Sequence, residues 1–170
     1  AWTAENLYRA ATMVERGFIR VDADEITYPL HVILRFELEQ ALLDGSLPVR
    51  DLPEAWDDAM QKYLGVSTRG NDADGCMQDV HWYAGLFGYF PTYTLGALGA
   101  AQWFDAARRD LTDLPAEVSA GNLRPLLGWL REHVHGRGRQ TTMQSLFEEV
   151  TGSRLDADFF KRHLESRSLS

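Results

Sequence analysis

The chain has 170 residues, 45% of them hydrophobic and 25% charged, which is enough to bury a sizeable core and excludes a disordered or low-complexity segment. Seventeen basic residues against 25 acidic ones leave a formal charge of −8, the wrong balance for gripping a nucleic-acid backbone, and no local basic patch offsets it. A single cysteine, Cys76, excludes an internal disulfide framework and a cysteine-based zinc knuckle, while no apolar run approaches a membrane span.

The opening AWTAENLYRA has no initiator methionine and no signal-peptide pattern, and it reads as if it starts inside a helix. A cytoplasmic piece of something longer is the expectation. Residues 2–16 carry Leu7, Ala10, Ala11 and Val14 at helical spacing, stopped by Gly17. The apolar residues of 18–21 suit an extended connector or a short edge strand. Residues 26–44 form the clearest helix, with Thr27 as its cap, Pro29 early, and one broad apolar face containing Leu30, Ile33, Leu34, Leu38 and Leu42. Pro53 opens another helix that runs through Trp56 and Met60 to Leu64 and is closed by Gly65.

Residues 66–77, VSTRGNDADGCM, predict a flexible polar loop. The aromatic run 78–90 follows, and Pro91 introduces a helix over about 92–109 in which Ala97, Ala100 and Ala101 permit close packing. Ser119 is a cap candidate for a helix reaching Val134, although Pro125 argues for a start nearer 124. A turn at 136–140 and two short amphipathic helices near 142–150 and 156–166 complete the pattern, with Asp156 capping the last and a frayed end at 166–170. About seven helices and almost no strand predict an all-α fold, read as one helical domain over 1–170.

Several residues are candidates for chemistry. Asp79 and His81, in QDVHW between the polar loop and the aromatic run, can pair so that the carboxylate fixes the ring tautomer, and His81 can stabilise an oxyanion or hold a substrate carboxylate. The same residues equally suit a helix N-terminus, with Asp79 capping amides and His81 packed on aromatics. Arg20 can grip an anion bidentately. Alternatively a neighbouring carboxylate satisfies Arg20, while Asp24 or Glu25 caps the next helix. The three nearby acids, Asp22, Asp24 and Glu25, match no calcium-loop pattern. His31, Arg35 and Glu39 form a stripe one turn apart that either lines a cleft or is a solvated face with i,i+4 pairing. Tyr93 is the favoured hydroxyl of the Gly- and aromatic-rich GLFGYFPTYTLG. His133 and His135 suit a helix C-terminus better than a chelate, His163 suits the surface, and the five tryptophans suit packing. There is no nucleophile elbow and no HExxH.

Taken together, IRVDAD at 19–24 and GCMQDVHW at 75–82 match the I/V-R-x-x-A-D and G-x-x-Q-D-x-H-W motifs at every fixed position, in order. With the flanking TYPLHVILRFELEQALLDG and GLFGYFPTYTLGALGAAQ, nearly the whole chain resembles the carboxypeptidase Taq family of zinc metallocarboxypeptidases. The resemblance implies the C-terminal third of a larger, mostly helical, zincin-like enzyme that removes single residues from peptide C-termini. In the family the HExxH histidines and a downstream Glu bind the metal, and the HExxH Glu is the general base. Those elements precede the region seen here, so zinc belongs to the intact parent, none is expected bound by this chain, and the chain alone is expected to be inactive. The implied partners are a peptide substrate, the N-terminal remainder of the enzyme, and a second copy in a homodimer. Carried onto this sequence, Arg20 and His81 handle substrate near the metal, Asp79 orients His81, and Gln78 and Asp24 support them. Tyr93 lines the cleft, and Arg35 adds positive potential beside Arg20. The alternatives are a non-catalytic helical domain that binds a peptide or protein, or a structural fragment without a ligand.

Overall fold

The computed structural model describes residues 2–168, and among them every regular element is helical. The chain groups into two compact units, Ala1–Thr94 with Ser166–Ser170, and Leu95–Glu165.

In the first unit, α1 (Ala4–Ala11) is half the length expected of it. Thr3 caps it by accepting from the Asn6 amide, and the Thr12 hydroxyl donates back to the Tyr8 carbonyl as the helix ends. The apolar stripe read over 2–16 therefore stops early, and Leu7 and Val14 are exposed, as is Trp2 at 85%. Residues 18–21 form no strand; Arg20–Asp22 is a single 3-10 turn. The long helix α2 runs Tyr28–Leu43 with Thr27 at its N-cap, as expected, but the Thr27 side chain makes no capping bond, and Asp24 instead pins the turn that leads into the helix. Asp24 Oδ1 accepts from the amides of Ile26 and Thr27, while Oδ2 accepts from the Glu15 amide and the Thr27 hydroxyl. Burial would raise this carboxyl, but those donors outweigh it and hold its pKa below the ordinary range.

Helix α3 (Leu52–Leu64) ends at Gly65, which adopts φ +70° as its left-handed cap. Leu34 and Leu38 of α2 interlock with Trp56, Met60 and Leu64 of α3, and Cys76 and Trp82 pack on the edge of this core. The polar stretch after Gly65 is tied down at its start, where Asp57 accepts from the Ser67 hydroxyl and the Thr68 amide, both at 2.7 Å. Residues 66–90 contain only turns.

Helix α4 (Pro91–Asp110) starts in the first unit and supplies the backbone of the second. There Ala106 and Ala107 meet Leu114 and Trp129. The tightest approach is at Gly99, where an added Cβ would lie 2.8 Å from Phe147 Cζ. Buried Gln102 ties the unit together: its amide donates to Thr151 Oγ1 and the Arg154 carbonyl, and its carbonyl accepts from the Asp156 amide.

The helix expected from Ser119 to Val134 is two, α5 (Leu114–Ser119) and α6 (Arg124–His133). Ser119 is the last residue of α5 and its hydroxyl donates to the Pro115 carbonyl, so it caps nothing downstream. The start near 124 agrees with Pro125 in the first turn. Helices α7 (Met143–Thr151) and α8 (Ala157–Ser168) fall where the sequence places them, and the Asp156 carboxylate accepts from the Asp158 amide. Residues 166–168, read as frayed, continue α8; Ala1 and residues 169–170 lie outside the described residues.

Candidate functional site

The two motifs of the sequence meet in the first unit, although 59 positions separate Arg20 from Asp79. The 3-10 turn holds Arg20 because its amide donates to Gln78 Oε1 at 2.9 Å, while the Gln78 amide donates to the carbonyls of Phe18 and Asp74. Gln78 thus splices the segment before α2 to the segment after α3. Next along the chain, Asp79 receives Arg20 Nε at 3.0 Å and Nη2 at 2.7 Å on Oδ1, and Arg35 Nε at 2.5 Å on Oδ2. Two guanidiniums therefore share one carboxylate.

Both arginines are enclosed. Arg35 is fully buried on α2, donates from Nη1 to the His31 carbonyl at 2.8 Å, and lies 4.6 Å over the Trp56 ring. Burial pulls its pKa down to about 10, so it remains charged at neutral pH. Arg20 lies among the rings of Tyr28, Phe90 and Tyr93, 5.1 to 5.7 Å from their centroids, and donates from Nη1 to Tyr28 Oη at 2.5 Å. Burial would lower Arg20, but the hydrogen bonds and charge of Asp79 and the contact with Tyr28 outweigh it and raise its pKa. The same bonds hold Asp79 below its ordinary value against the opposing effect of burial.

His81 is nearly buried and packs 4.4 Å from the Phe90 ring. Its Nε2 lies 2.9 Å from Tyr93 Oη. The expected bond from Asp79 to His81 is not made: Asp79 Oδ1 stands 3.8 Å from Nδ1, which has no hydrogen-bond partner. Burial is the largest cause that lowers the His81 pKa; Arg20 and Arg35 add to it and Asp79 opposes it. Burial also keeps the Tyr93 hydroxyl above its ordinary value.

The helix-cap alternative for Asp79 fails, because no helix starts there and its carboxylate is spent on arginines. The solvated-face alternative for His31, Arg35 and Glu39 fails as well, since all three are buried. Glu39 accepts from Trp82 Nε1 at 2.7 Å and from the Gly88 amide, which ties the turn segment to α2. Asp24 bonds to Glu15, Ile26 and Thr27 in the turn before α2 rather than to the arginines. Sequence reasoning did not single out Tyr28 and Phe90, which help enclose Arg20; both lie in the flanking strings TYPLHVILRFELEQALLDG and GLFGYFPTYTLGALGAAQ, but only the fold brings them to it. Among the described residues, no three His, Cys, Asp or Glu side chains gather to hold a metal ion, so this donor set does not fit a zinc centre. No described helix is long and apolar enough to cross a membrane.

Comparison with known proteins matches this arrangement to one group. Thermostable carboxypeptidase 1 of Thermus thermophilus is 46% identical over 163 residues, covering 96% of this chain and 32% of that protein. Carboxypeptidase 1 of Bacillus subtilis is 39% identical over the same length, again covering 32% of its own. Among solved structures, Trypanosoma cruzi metallocarboxypeptidase 1 superposes with a TM-score of 0.96 at 42% identity, over all of this chain and 36% of that one. The M32 carboxypeptidase of Deinococcus radiodurans gives 0.93 at 44% identity, over 98% and 33%. The chain thus spans about a third of the length of the relatives it matches. With residues 1–168 also matching the family profile, the chain belongs to the carboxypeptidase Taq (M32) metallopeptidase family.

Proposed function

We propose that this chain is the C-terminal portion of a zinc metallocarboxypeptidase that releases single amino acids from peptide C-termini, and that it supplies the substrate side of the cleft. The observation that supports this reading is the arginine cluster. Three of the five N–H donors of Arg20 are committed, two to Asp79 and one to Tyr28, leaving donors for a terminal carboxylate in a setting where two guanidiniums face one acid. In this reading Arg20 holds the peptide terminus and His81 with Tyr93 hydrogen-bonds substrate beside it. Asp79 and Arg35 support Arg20, Gln78 fixes the turn that carries it, and Asp24 fixes the start of α2. Zinc and the general base come from the remainder of the enzyme, the intact protein is a homodimer, and the isolated chain turns over no peptide.

The test is calorimetric titration of the chain with a short peptide ending in a free carboxylate on a non-Pro residue, and with the same peptide as its C-terminal amide. The acid is expected to bind and the amide to bind at least tenfold more weakly. Binding of neither, or both equally, sinks the carboxylate reading. In parallel, chain and peptide are incubated with zinc, and C-terminal trimming above a metal-free control would overturn the assignment of the metal centre to the rest of the enzyme. A second reading, a non-catalytic peptide- or protein-binding domain, draws on the exposed side chains of Val80 and Tyr83 beside His81. Equal affinity for acid and amide is its signature.

A further inference from the structure

The two ring nitrogens of His81 have unequal surroundings. Nε2 meets the Tyr93 hydroxyl, whereas Nδ1 is buried without a partner although a carboxylate oxygen is 3.8 Å away. An imidazole beside a carboxylate ordinarily closes such a gap, because a bond to an ionised acceptor is among the stronger hydrogen bonds. The other contacts of Asp79 account for the gap: Arg20 occupies Oδ1 twice, and Arg35 holds Oδ2. Of the two, Arg35 is the more firmly seated, fully buried on α2, tied to the His31 carbonyl and stacked on Trp56. A guanidinium fixed at these points does not follow a carboxylate that turns away from it.

We propose that Arg35 is a positioning residue that anchors the Asp79 carboxylate beyond hydrogen-bonding reach of His81, so that the imidazole carries its proton on Nδ1 and presents the Nε2 lone pair to the Tyr93 hydroxyl. The carboxylate selects the tautomer through space: a lone pair on Nδ1 would face an anion, whereas an N–H there is attracted to it. Burial favours the neutral ring. The charged and titratable groups around it are Asp79 two residues before it, Arg20 from the 3-10 turn, Arg35 and Glu39 from α2, Tyr89 just before α4 and Tyr93 in its first turn. From the function proposed above, this takes only that His81 belongs to the substrate side. It is measured without peptide, so failure of peptide binding and failure of the clamp are separate results.

The experiment labels the histidines of the 170-residue chain with 15N and reads tautomer and titration from long-range N–H spectra. In the unmodified chain His81 is expected to be neutral at pH 7 with the proton on Nδ1. A proton on Nε2, or a cationic ring at that pH, overturns the proposal with no variant needed. In Arg35→Met, the carboxylate is held by Arg20 alone, its Oδ2 is released, and it is expected to turn and close on the ring. The His81 midpoint then rises by about one pH unit, and its Nδ1 proton becomes slow to exchange. Arg35→Lys keeps the charge without the planar fork and is expected to slow the same proton with a smaller rise. A folded Arg35→Met with His81 unchanged overturns the proposal. So does a rise in Arg35→Met accompanied by wild-type exchange and midpoint in Arg35→Lys, which would make the effect one of charge alone. Should Arg35→Met fail to fold, the lysine variant and the wild-type tautomer decide.

Discussion

Asp79→Ala removes the one carboxylate that two enclosed guanidiniums share. Arg35 has no solvent exposure and the Arg20 side chain only 6%, so water cannot take the place of the lost acceptor. Breaking a buried ion pair by deleting one partner costs about 3–5 kcal/mol, because a charge is left uncompensated in a poor dielectric. Here two cations lose their partner and also repel each other, which places the cost toward the upper end. That is a large share of a domain's usual stability of roughly 5–15 kcal/mol. Urea unfolding followed by far-UV circular dichroism reads it directly. With a slope of about 2 kcal/mol per molar, the midpoint falls by about 2 M. Adding Arg35→Met to Asp79→Ala is expected to recover part of the loss, because one stranded cation is then gone and the two changes are coupled. A loss under about 1 kcal/mol for Asp79→Ala, or strictly additive changes, refutes the reasoning. The pH dependence follows from the depressed pKa of Asp79. Its contribution is fully present above the unfolded carboxyl value and is lost only as pH falls through the lowered folded value, so the cluster holds under mild acid.

His31 acts in the same direction but in a higher pH window. Burial first, then Arg35 and Arg20, lower its pKa to about 4. Between pH 6.5 and 4 the unfolded chain takes a proton that the folded one refuses, so stability is full above the unfolded value and falls by about 3 kcal/mol across that window. Urea midpoints at pH 7.5 and pH 4.5 should differ accordingly, and His31→Leu should flatten the difference; an unchanged slope in that variant refutes it. For Gly99→Ala, the new Cβ meets Phe147, itself stacked on Trp103 at 4.7 Å, so overpacking of about 1–3 kcal/mol outweighs the roughly 1 kcal/mol gained in helix propensity. A raised thermal midpoint would contradict this. Glu39→Gln turns one acceptor into a donor facing Trp82 or the Gly88 amide, at a cost of about 1.5–3 kcal/mol. Hydrogen exchange should show residues 80–88 opening more readily while α3 is unchanged.

Much of the local structure is written along the chain. Pro53 and Gly65 bracket α3, and Thr142 and Asp156 sit where α7 and α8 need acceptors for their first amides. Such signals act over three or four residues, so the sequence carries them intact. Two local signals do not carry through to the structure. Thr27 does sit at the N-cap of α2, yet its hydroxyl donates to Asp24 and so caps no α2 amide. The apolar spacing of 2–16 promised a buried face, but this structure exposes Leu7 and Val14.

By itself the sequence determined the all-helical class, the family and most of the residues of the candidate site, because the IRVDAD and GCMQDVHW motifs are contiguous strings that need no folding to be read. Only tertiary structure decided how those residues are paired. The helix spacing of His31, Arg35 and Glu39 fits a solvated stripe as well as a buried one, and the choice depends on the Trp56 and Trp82 packing that surrounds them. Likewise the two-residue spacing of Asp79 and His81 suggests a bonded pair, whereas two arginines brought in from residues 20 and 35 hold the carboxylate 3.8 Å from the ring. A carboxylate binds the strongest donors the fold delivers to it, and here those are guanidiniums distant in the chain.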